Sequence, residues 1–434
     1  MARKIGFPIT SSNSPEPIAL MRILFVHQNF PGQFKHLAPA LAAQGHEVVA
    51  LGVNKPAYPT PGVKVLLHRP RVHNPDGTKD APAELRELEA KTTRGHSVAR
   101  VLSKLKHEGF IPDLICAHSG WGEAFFIKDV FPDVQLIVYA EYYYGAIGGD
   151  AHFDPEFSKW SLESMERLRI KNTHLLHALM AADYGLSPTT FQRDSHPELL
   201  RQKIKVIHDG IDTSRFKPDA RAFVSMKKAD ITLKPGDEVV TFVARELEPY
   251  RGYHSFMRAL PQLMELRPNA QIVIVGGSSV SYGSPAPDGT TWKDIFYKEV
   301  ASRIDPKRLH FVGKLPHELL TQLMQVSTVH VYLTYPFVLS WSLMEAMSIG
   351  CLIVGSRTGP VEEVIKHGQT GLLVDFFNPE EIACTVADAL ARRKELLPLR
   401  AAARQLIVQH HDLKSHCLPA QLKLMHAIAQ KRPV

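Results

Sequence analysis

Residues 331–363 read VYLTYPFVLSWSLMEAMSIGCLIVGSRTGPVEE. Val331 to Thr334 is a short apolar run rich in strand formers, and Cys351 to Val354 is a second. Between them Leu343, Met344 and Met347 recur at helical spacing. Ser342-x-x-Glu345 has the form of a capping box, and Gly350 stops the helix. Strand, loop, helix, strand makes one βαβ unit of a parallel sheet. Ligands on such sheets sit where strand carboxyl ends meet helix starts. The loop before Ser340 is therefore expected to turn backbone N–H groups toward whatever binds there.

The same alternation extends in both directions. Upstream, apolar strand patterns at 22–26, 47–51, 113–117, 135–139, 184–187 and 203–207 separate helical stretches at 34–44, 83–108 and 157–182. The alternation restarts with strands at 239–243, 270–275, 310–313 and 371–374 and helices at 253–265 and 379–391, and residues 394–429 read as helix. The fold class is α/β, in two successive units. Residues 1–20 mix Ser, Pro and Asn without a continuous apolar core, so they predict a disordered extension rather than a secretory signal.

Composition bounds the function. A chain of 434 residues is long enough for two or three domains with full cores. The balance of 51 Lys and Arg against 44 Asp and Glu is mildly basic, which suits an anionic small molecule and gives no reason to expect a nucleic-acid partner. Residues 193–228 are locally basic, which reads as a solvated face, with contact to an anionic membrane surface as the minority reading. Cys116, Cys351, Cys384 and Cys417 lie far apart without a C-x-x-C, as in buried thiols of a reducing compartment. No apolar run reaches membrane-spanning length. No His, Cys, Asp and Glu cluster has metal-ligand spacing along the chain, so no metal and no resident cofactor are expected. These readings together predict a cytoplasmic protein, with the inner membrane face as the alternative.

Several loops carry candidate chemistry. After the first strand, His27 to Gln33 contains Gly32, which reads either as an ordinary turn or as a glycine facing a ligand at a helix start. His118-Ser-Gly-Trp-Gly122 follows another strand, at the sheet edge where sites occur, and Gly120 and Gly122 let backbone approach closely. A lone histidine there also reads as a structural residue. Glu141-Tyr142-Tyr143-Tyr144 offers a carboxylate and rings that can stack on a ligand and hydrogen-bond hydroxyls; its bland reading is a packing cluster. Arg245 and Arg251, six residues apart around a strand-to-helix turn, can converge on a diphosphate, and guanidinium groups do so bidentately. Gly276 and Gly277 end a strand where a loop can pass close to a nucleotide.

These stretches resemble the family 4 glycosyltransferases (glycosyl transferases group 1), over residues 21–415, most strongly in 239–375 and weakly in 54–112. Glu345-Ala346-Met347 and Gly350 fit the donor-binding pattern of Glu, seven residues, Glu, then Ala-Met and Gly. Phe337 stands where the family has the first Glu. Gly359 and Glu363 resemble the Gly-Gly-x-x-Glu that follows, with Pro360 in the second Gly place. Arg251 stands where the family usually has Lys. His118 resembles the family's active-site histidine, the Gly32 loop the one that reaches its cleft, the backbone at Lys314 its base-reading segment, and residues 208–218 its interdomain linker.

The resemblance implies the GT-B fold, two doubly wound, Rossmann-like parallel-sheet domains facing across a cleft. Its boundaries here are 21–208 for the acceptor-side domain, 209–220 for the linker and 221–405 for the nucleotide-sugar domain. A segment at 406–434 crosses back to the first domain. It also implies retaining, metal-independent transfer of a sugar, a hexose in the first instance, from a nucleotide diphosphate sugar to a hydroxyl of a glycan, lipid-linked or small-molecule acceptor. In that picture His118, Arg245 and Arg251 are catalytic. Gly32, Gly276, Gly277, Lys314, Phe337, Val338, Leu339, Ser340 and Glu345 bind the donor, and Glu141, Tyr142 and Tyr143 meet the acceptor. The arginines stabilise charge on the leaving diphosphate, and Glu345 accepts from ribose hydroxyls. The missing first Glu leaves two alternatives open, a nucleotide-sugar epimerase of the same fold and a binding protein without turnover. A glycoside phosphorylase would use free phosphate instead, and a nicotinamide dehydrogenase lacks its G-x-G-x-x-G here.

Overall fold

The computed structural model describes residues 19–71, 83–226 and 231–432. The extension expected over residues 1–20 lies outside them up to residue 18.

The first sheet has seven parallel strands: β1 (Arg22–Val26), β2 (Glu47–Gly52), β3 (Val63–Leu67), β4 (Leu114–His118), β5 (Gln135–Tyr139), β6 (Tyr184–Ser187) and β7 (Ile204–Val206), in the order β3-β2-β1-β4-β5-β6-β7. Parallel strands covered on both faces read as unbroken apolar runs, and their alternate residues serve two cores. Ile23, Phe25, Cys116 and Ile137 enter one layer, while Leu24, Val26, Ile115, Ala117, Leu136 and Val138 enter the other. A short antiparallel pair, β8 (Val224–Met226) and β9 (Ile231–Leu233), precedes the second sheet. That sheet comprises β10 (Val239–Glu246), β11 (Gln271–Gly277), β12 (Leu309–Gly313), β13 (Val329–Tyr332), β14 (Leu352–Ser356) and β15 (Leu372–Val374), in the order β12-β11-β10-β13-β14-β15. Two doubly wound parallel sheets in one chain are the GT-B fold.

Strand order places the sites. Each sheet reverses its winding once, between β1 and β4 in the first and between β10 and β13 in the second. The crevice at such a switch point, outside the strands' carboxyl ends, is where ligands bind. His27 follows β1 and His118 ends β4; Arg245 and Glu246 end β10, and residues 333–340 follow β13.

Three segments connect the halves. Residues 208–211 and 411–413 run side by side, with Ile211 N–H donating to His411 O at 2.8 Å and Leu413 N–H to Ile211 O at 2.9 Å. Helix Leu418–Ala429 then sends Leu424, Met425 and Ile428 into the first sheet's core. The third connection corrects the sequence reading. A helix was expected over 157–182, but helices occupy Leu162–Lys171 and Thr173–Ala181, the first opened by a Ser161/Ser164 capping box. Residues 150–157 instead form a strap across to the second domain. Phe153 packs 5.0–5.2 Å from the rings of Tyr335, Phe376 and Phe377, and Phe157 5.0–5.2 Å from His254 and Trp292. Phe157 leaves the helix because the other domain offers its ring an apolar socket.

Candidate active site

On the first domain, the polar groups at the switch point form a directed chain. Asn29 N–H donates to His27 Nδ1 at 3.0 Å, so the neutral ring carries its proton on Nε2. That proton points at Gln33 Oε1, 2.8 Å away, and Gln33 Nε2 donates to Glu141 Oε1 at 2.9 Å. The other carboxylate oxygen lies 3.7 Å from His118 Nε2. His118 Nδ1 accepts from Gly120 N–H at 3.0 Å, so His118 too presents Nε2–H when neutral. Burial, and after it the nearby His118, pushes the His27 pKa down to about 3. Burial alone would raise the Glu141 pKa, but the nearby His118, and after it His27 and the Gln33 amide, hold it below the usual carboxylate range. His118 is fully buried, stacked on Trp121 at 4.5 Å and on Tyr139 at 5.2 Å. The Glu141 side chain keeps 32% of its surface open.

Gly32 makes room for a neighbouring side chain. A Cβ there would lie 2.3 Å from the His27 ring, so the missing side chain is what lets His27 sit in the chain of hydrogen bonds.

On the second domain, the two arginines part company. Arg245 is exposed and has no hydrogen-bond or ion-pair partner among the described residues. Arg251 is buried, and its Nη1 donates to Thr334 Oγ1 at 2.8 Å and to Val338 O at 3.1 Å. Its guanidinium lies over Tyr282 at 5.1 Å. Arg251 thus holds the loop after β13, which corrects the expectation of two equivalent phosphate cations. Gly276 and Gly277 are likewise set by packing: added Cβ atoms would meet Leu247 at 2.7 Å and Glu246 Oε2 at 2.2 Å. Glu246 accepts from Lys314 Nζ at 2.5 Å and from Ser279 N–H at 2.9 Å, and the Lys314 side chain remains 62% exposed.

The helix Trp341–Ile349 opens at Ser340, whose Oγ accepts from Ser342 N–H at 3.3 Å, and ends at Gly350 with φ +85°. The expected Ser342/Glu345 box is therefore absent, because Ser342 is already inside the helix. This frees Glu345, whose side chain is 13% exposed and 3.5 Å from His317 Nε2. Ser340 N–H donates to the Tyr332 hydroxyl at 2.9 Å and is not available to a ligand as expected. Val338 and Leu339 stay at the loop's turn, Leu339 buried.

Phe337 is 3% exposed. It packs against Tyr142 at 4.8 Å, Tyr282 at 5.0 Å and Tyr250 at 5.3 Å. Tyr142 is buried and its hydroxyl donates to Pro336 O at 2.8 Å, so it bridges the domains instead of offering an open stacking face. Tyr250 hydroxyl bonds Asp150 Oδ2. Tyr143 remains half-buried, its N–H on Ser195 Oγ at 3.0 Å.

Other cross-cleft groups escaped the sequence reading. Asp209 accepts from Tyr139 Oη at 3.0 Å and from Trp341 Nε1 at 2.9 Å, and Lys35 Nζ lies 4.3 Å over the Trp341 ring, within attraction of Glu345. Glu363 accepts N–H groups of Thr190 and Phe191, each at 2.8 Å. His27 and Gln33 had one signal, their position just after β1. Asp209 and Trp341 had none, since only the fold brings them together. Among the described residues the fold also assembles two ligand-type groups that chain spacing hides, His208 with His411 and Cys417, and Asp154 with Glu156 and His254. His208 Nδ1 already accepts Gly210 N–H at 3.0 Å, and Asp154 already accepts from Tyr335 Oη at 2.9 Å.

The model of the glycosyl transferase family 4 group matches residues 44–216, and that of the glycosyl transferases group 1 matches residues 225–406. The D-inositol 3-phosphate glycosyltransferase of Corynebacterium efficiens is 27% identical over 190 residues, 43% of this chain and 43% of that protein. Its namesake from Nocardia farcinica is 28% identical over 208 residues, 47% of this chain and 44% of that protein. The chain thus spans less than half the length of these curated relatives. Among solved structures, Anabaena HepE in complex with UDP and glucose has a TM-score of 0.63 at 17% identity, covering 93% of this chain and 98% of that one. The sucrose-phosphate synthase of Thermosynechococcus elongatus has a TM-score of 0.71 at 17% identity, covering 94% and 100%. At such identities the likeness is one of fold.

Proposed function

The chain belongs to the glycosyltransferases, its first part to the family 4 group and its second to group 1, and from that premise we propose that it moves a sugar from a nucleotide diphosphate sugar to an acceptor hydroxyl with retention at the anomeric carbon. The observation that carries the reading is the pairing of two switch points across one cleft. One presents the part-open carboxylate of Glu141, with the buried Nε2–H of His118 3.7 Å behind it. The other presents the unpaired cation Arg245 and the helix start before Glu345. Arg245 meets the diphosphate and stabilises the charge that develops on departure. Arg251 shapes the loop whose Leu339 N–H faces the donor, Glu345 accepts from the ribose hydroxyls, and the backbone near Lys314 borders the base. His118 donates to a sugar hydroxyl, and Glu141, with Tyr143 at the rim, receives the acceptor.

Because the cation and the helix start meet the leaving charge, the reaction is expected to need no divalent ion, and chelation should leave turnover unchanged. The test is incubation with UDP-, GDP- and ADP-sugars and a panel of polyol, hexose-phosphate and lipid-linked acceptors. UDP donors come first because HepE is solved with UDP. Inositol phosphates are included because the curated relatives are named for one. Acceptor-dependent release of nucleotide diphosphate supports the reading. Donor binding seen as a thermal shift without release under any pairing would overturn it. One observation favours a second reading, a donor-binding protein without turnover: Phe337, where the family carries a carboxylate, is closed in by tyrosines from both domains.

A further inference from the structure

The polar chain at the first switch point has a direction, and the direction has a consequence. Each neutral ring has one donor and one acceptor nitrogen, and for His27 the backbone decides which is which. Asn29 N–H occupies Nδ1, so Nε2–H must donate. Gln33 Oε1 receives that proton, which orients the amide so that its NH2 faces Glu141 Oε1. Neither Gln33 nor His27 can reverse without breaking two bonds. Oε2 of Glu141 is left for the cleft, beside His118 Nε2 at 3.7 Å. Gly32 is part of the device, since any side chain there would strike the His27 ring.

We propose that His27 and Gln33 are positioning residues, which fix the Glu141 carboxylate so that Oε2 accepts the hydrogen bond of the incoming acceptor hydroxyl. The proposal rests on the transferase reading for the word acceptor, and on the hydrogen bonds alone for the aim of the carboxylate. Glu141 is faced by His118 from β4, by His27 and Gln33 from the loop after β1, and by Tyr139, Tyr144 and Asp209 on its other sides. Among the groups that hold its charge, Gln33 is the one that can be removed without changing formal charge. Because His27 stays neutral above about pH 3, the direction of the chain is constant across the working range.

Two measurements on the full-length protein test it. The first needs no substrate. Nitrogen-15 spectra should show His27 and His118 as Nε2–H tautomers, with His27 not titrating between pH 5 and 8, and the Glu141 carboxyl carbon should titrate at higher pH in Gln33→Leu than in wild type. A His27 protonated on Nδ1, or an unmoved Glu141 titration, overturns the relay. The second is kinetic. Gln33→Leu should lower kcat/KM for the acceptor by about tenfold, the scale of one hydrogen bond to a charged group. Its acid limb should move upward, and the KM for the donor should stay within twofold. Gln33→Glu, which sets two carboxylates together, should move the limb further. An equal loss in donor and acceptor parameters with no shift of the limb would return Gln33 to a structural role. Should the wild type turn nothing over, the transferase reading fails while the spectra still decide the relay.

Discussion

Arg245 and Arg251 look interchangeable in the sequence and differ in the fold. Arg245 is exposed at the carboxyl end of β10, and Arg251 is buried with Nη1 on Thr334 and Val338. Their truncations should therefore separate. Arg245→Ala should weaken binding of a nucleotide diphosphate by about one to two orders of magnitude, the worth of a charged hydrogen bond at roughly 1.5–3 kcal/mol, and leave the melting midpoint close to wild type. Arg251→Ala strands the Thr334 hydroxyl and the Val338 carbonyl in a buried loop, and should cost about 1–3 kcal/mol of stability for each polar group left unsatisfied. Thermal melts with and without nucleotide check both; equal loss of stability in the two variants would refute the division. His118 shows the same gap between type and place. Its position after β4 was legible, but its stacking on Trp121 and Tyr139 was not, because those partners come from the loop's own curl and a neighbouring strand. Substituting it therefore disturbs packing as well as chemistry.

Elements were legible where their periodicity is local. Strands covered on both faces announce themselves as apolar runs, and the helix after β13 was visible from Leu343, Met344 and Met347. Its start at Ser340 was legible but its cap was misread by two residues, since a serine at 340 and a serine at 342 offer the same hydroxyl and only backbone geometry chooses Ser340. The strap was illegible for a stronger reason. Residues 150–157 take their conformation from the other domain, through Phe153 and Phe157 and through Tyr335 Oη on Asp154 at 2.9 Å and Arg258 Nη1 on Glu156 at 2.7 Å. Phe157 is half-buried, so Phe157→Ala should empty part of a socket formed by His254, Trp292 and Phe296 and cost less than the roughly 3–5 kcal/mol of a fully buried aromatic. The strap should then open to limited proteolysis between residues 145 and 162 before the rest of the fold is cut. Cleavage there at the wild-type rate would mean that the strap is held by its polar contacts instead.

At the scale of the molecule, the two domains were legible as two runs of alternation, and their contact was not, because it depends on groups far apart in the chain. Asp209 is the clearest case. It lies in the linker, accepts from Tyr139 of the first domain and from Trp341 of the second, and is buried with Lys35 nearby. Burial raises its pKa to about 6, against the hydrogen bonds from Trp341 and Tyr139, which lower it. An unfolded aspartate titrates near 3.9, so between about pH 4 and pH 6 the native state holds a proton that the unfolded chain has released. On that account stability falls as pH rises through this window, by on the order of 3 kcal/mol for a shift of two units. Most carboxylates in the protein act in the other direction, so the wild-type curve alone is not diagnostic. Asp209→Asn retains one oxygen for the Tyr139 and Trp341 donors and cannot ionise. The variant should match wild type near pH 4 and become the more stable of the two as pH approaches 7, by urea unfolding at each pH. A gap that is constant with pH, or that closes as pH rises, would show that Asp209 is ionised in the native protein throughout and binds Trp341 and Tyr139 as a carboxylate.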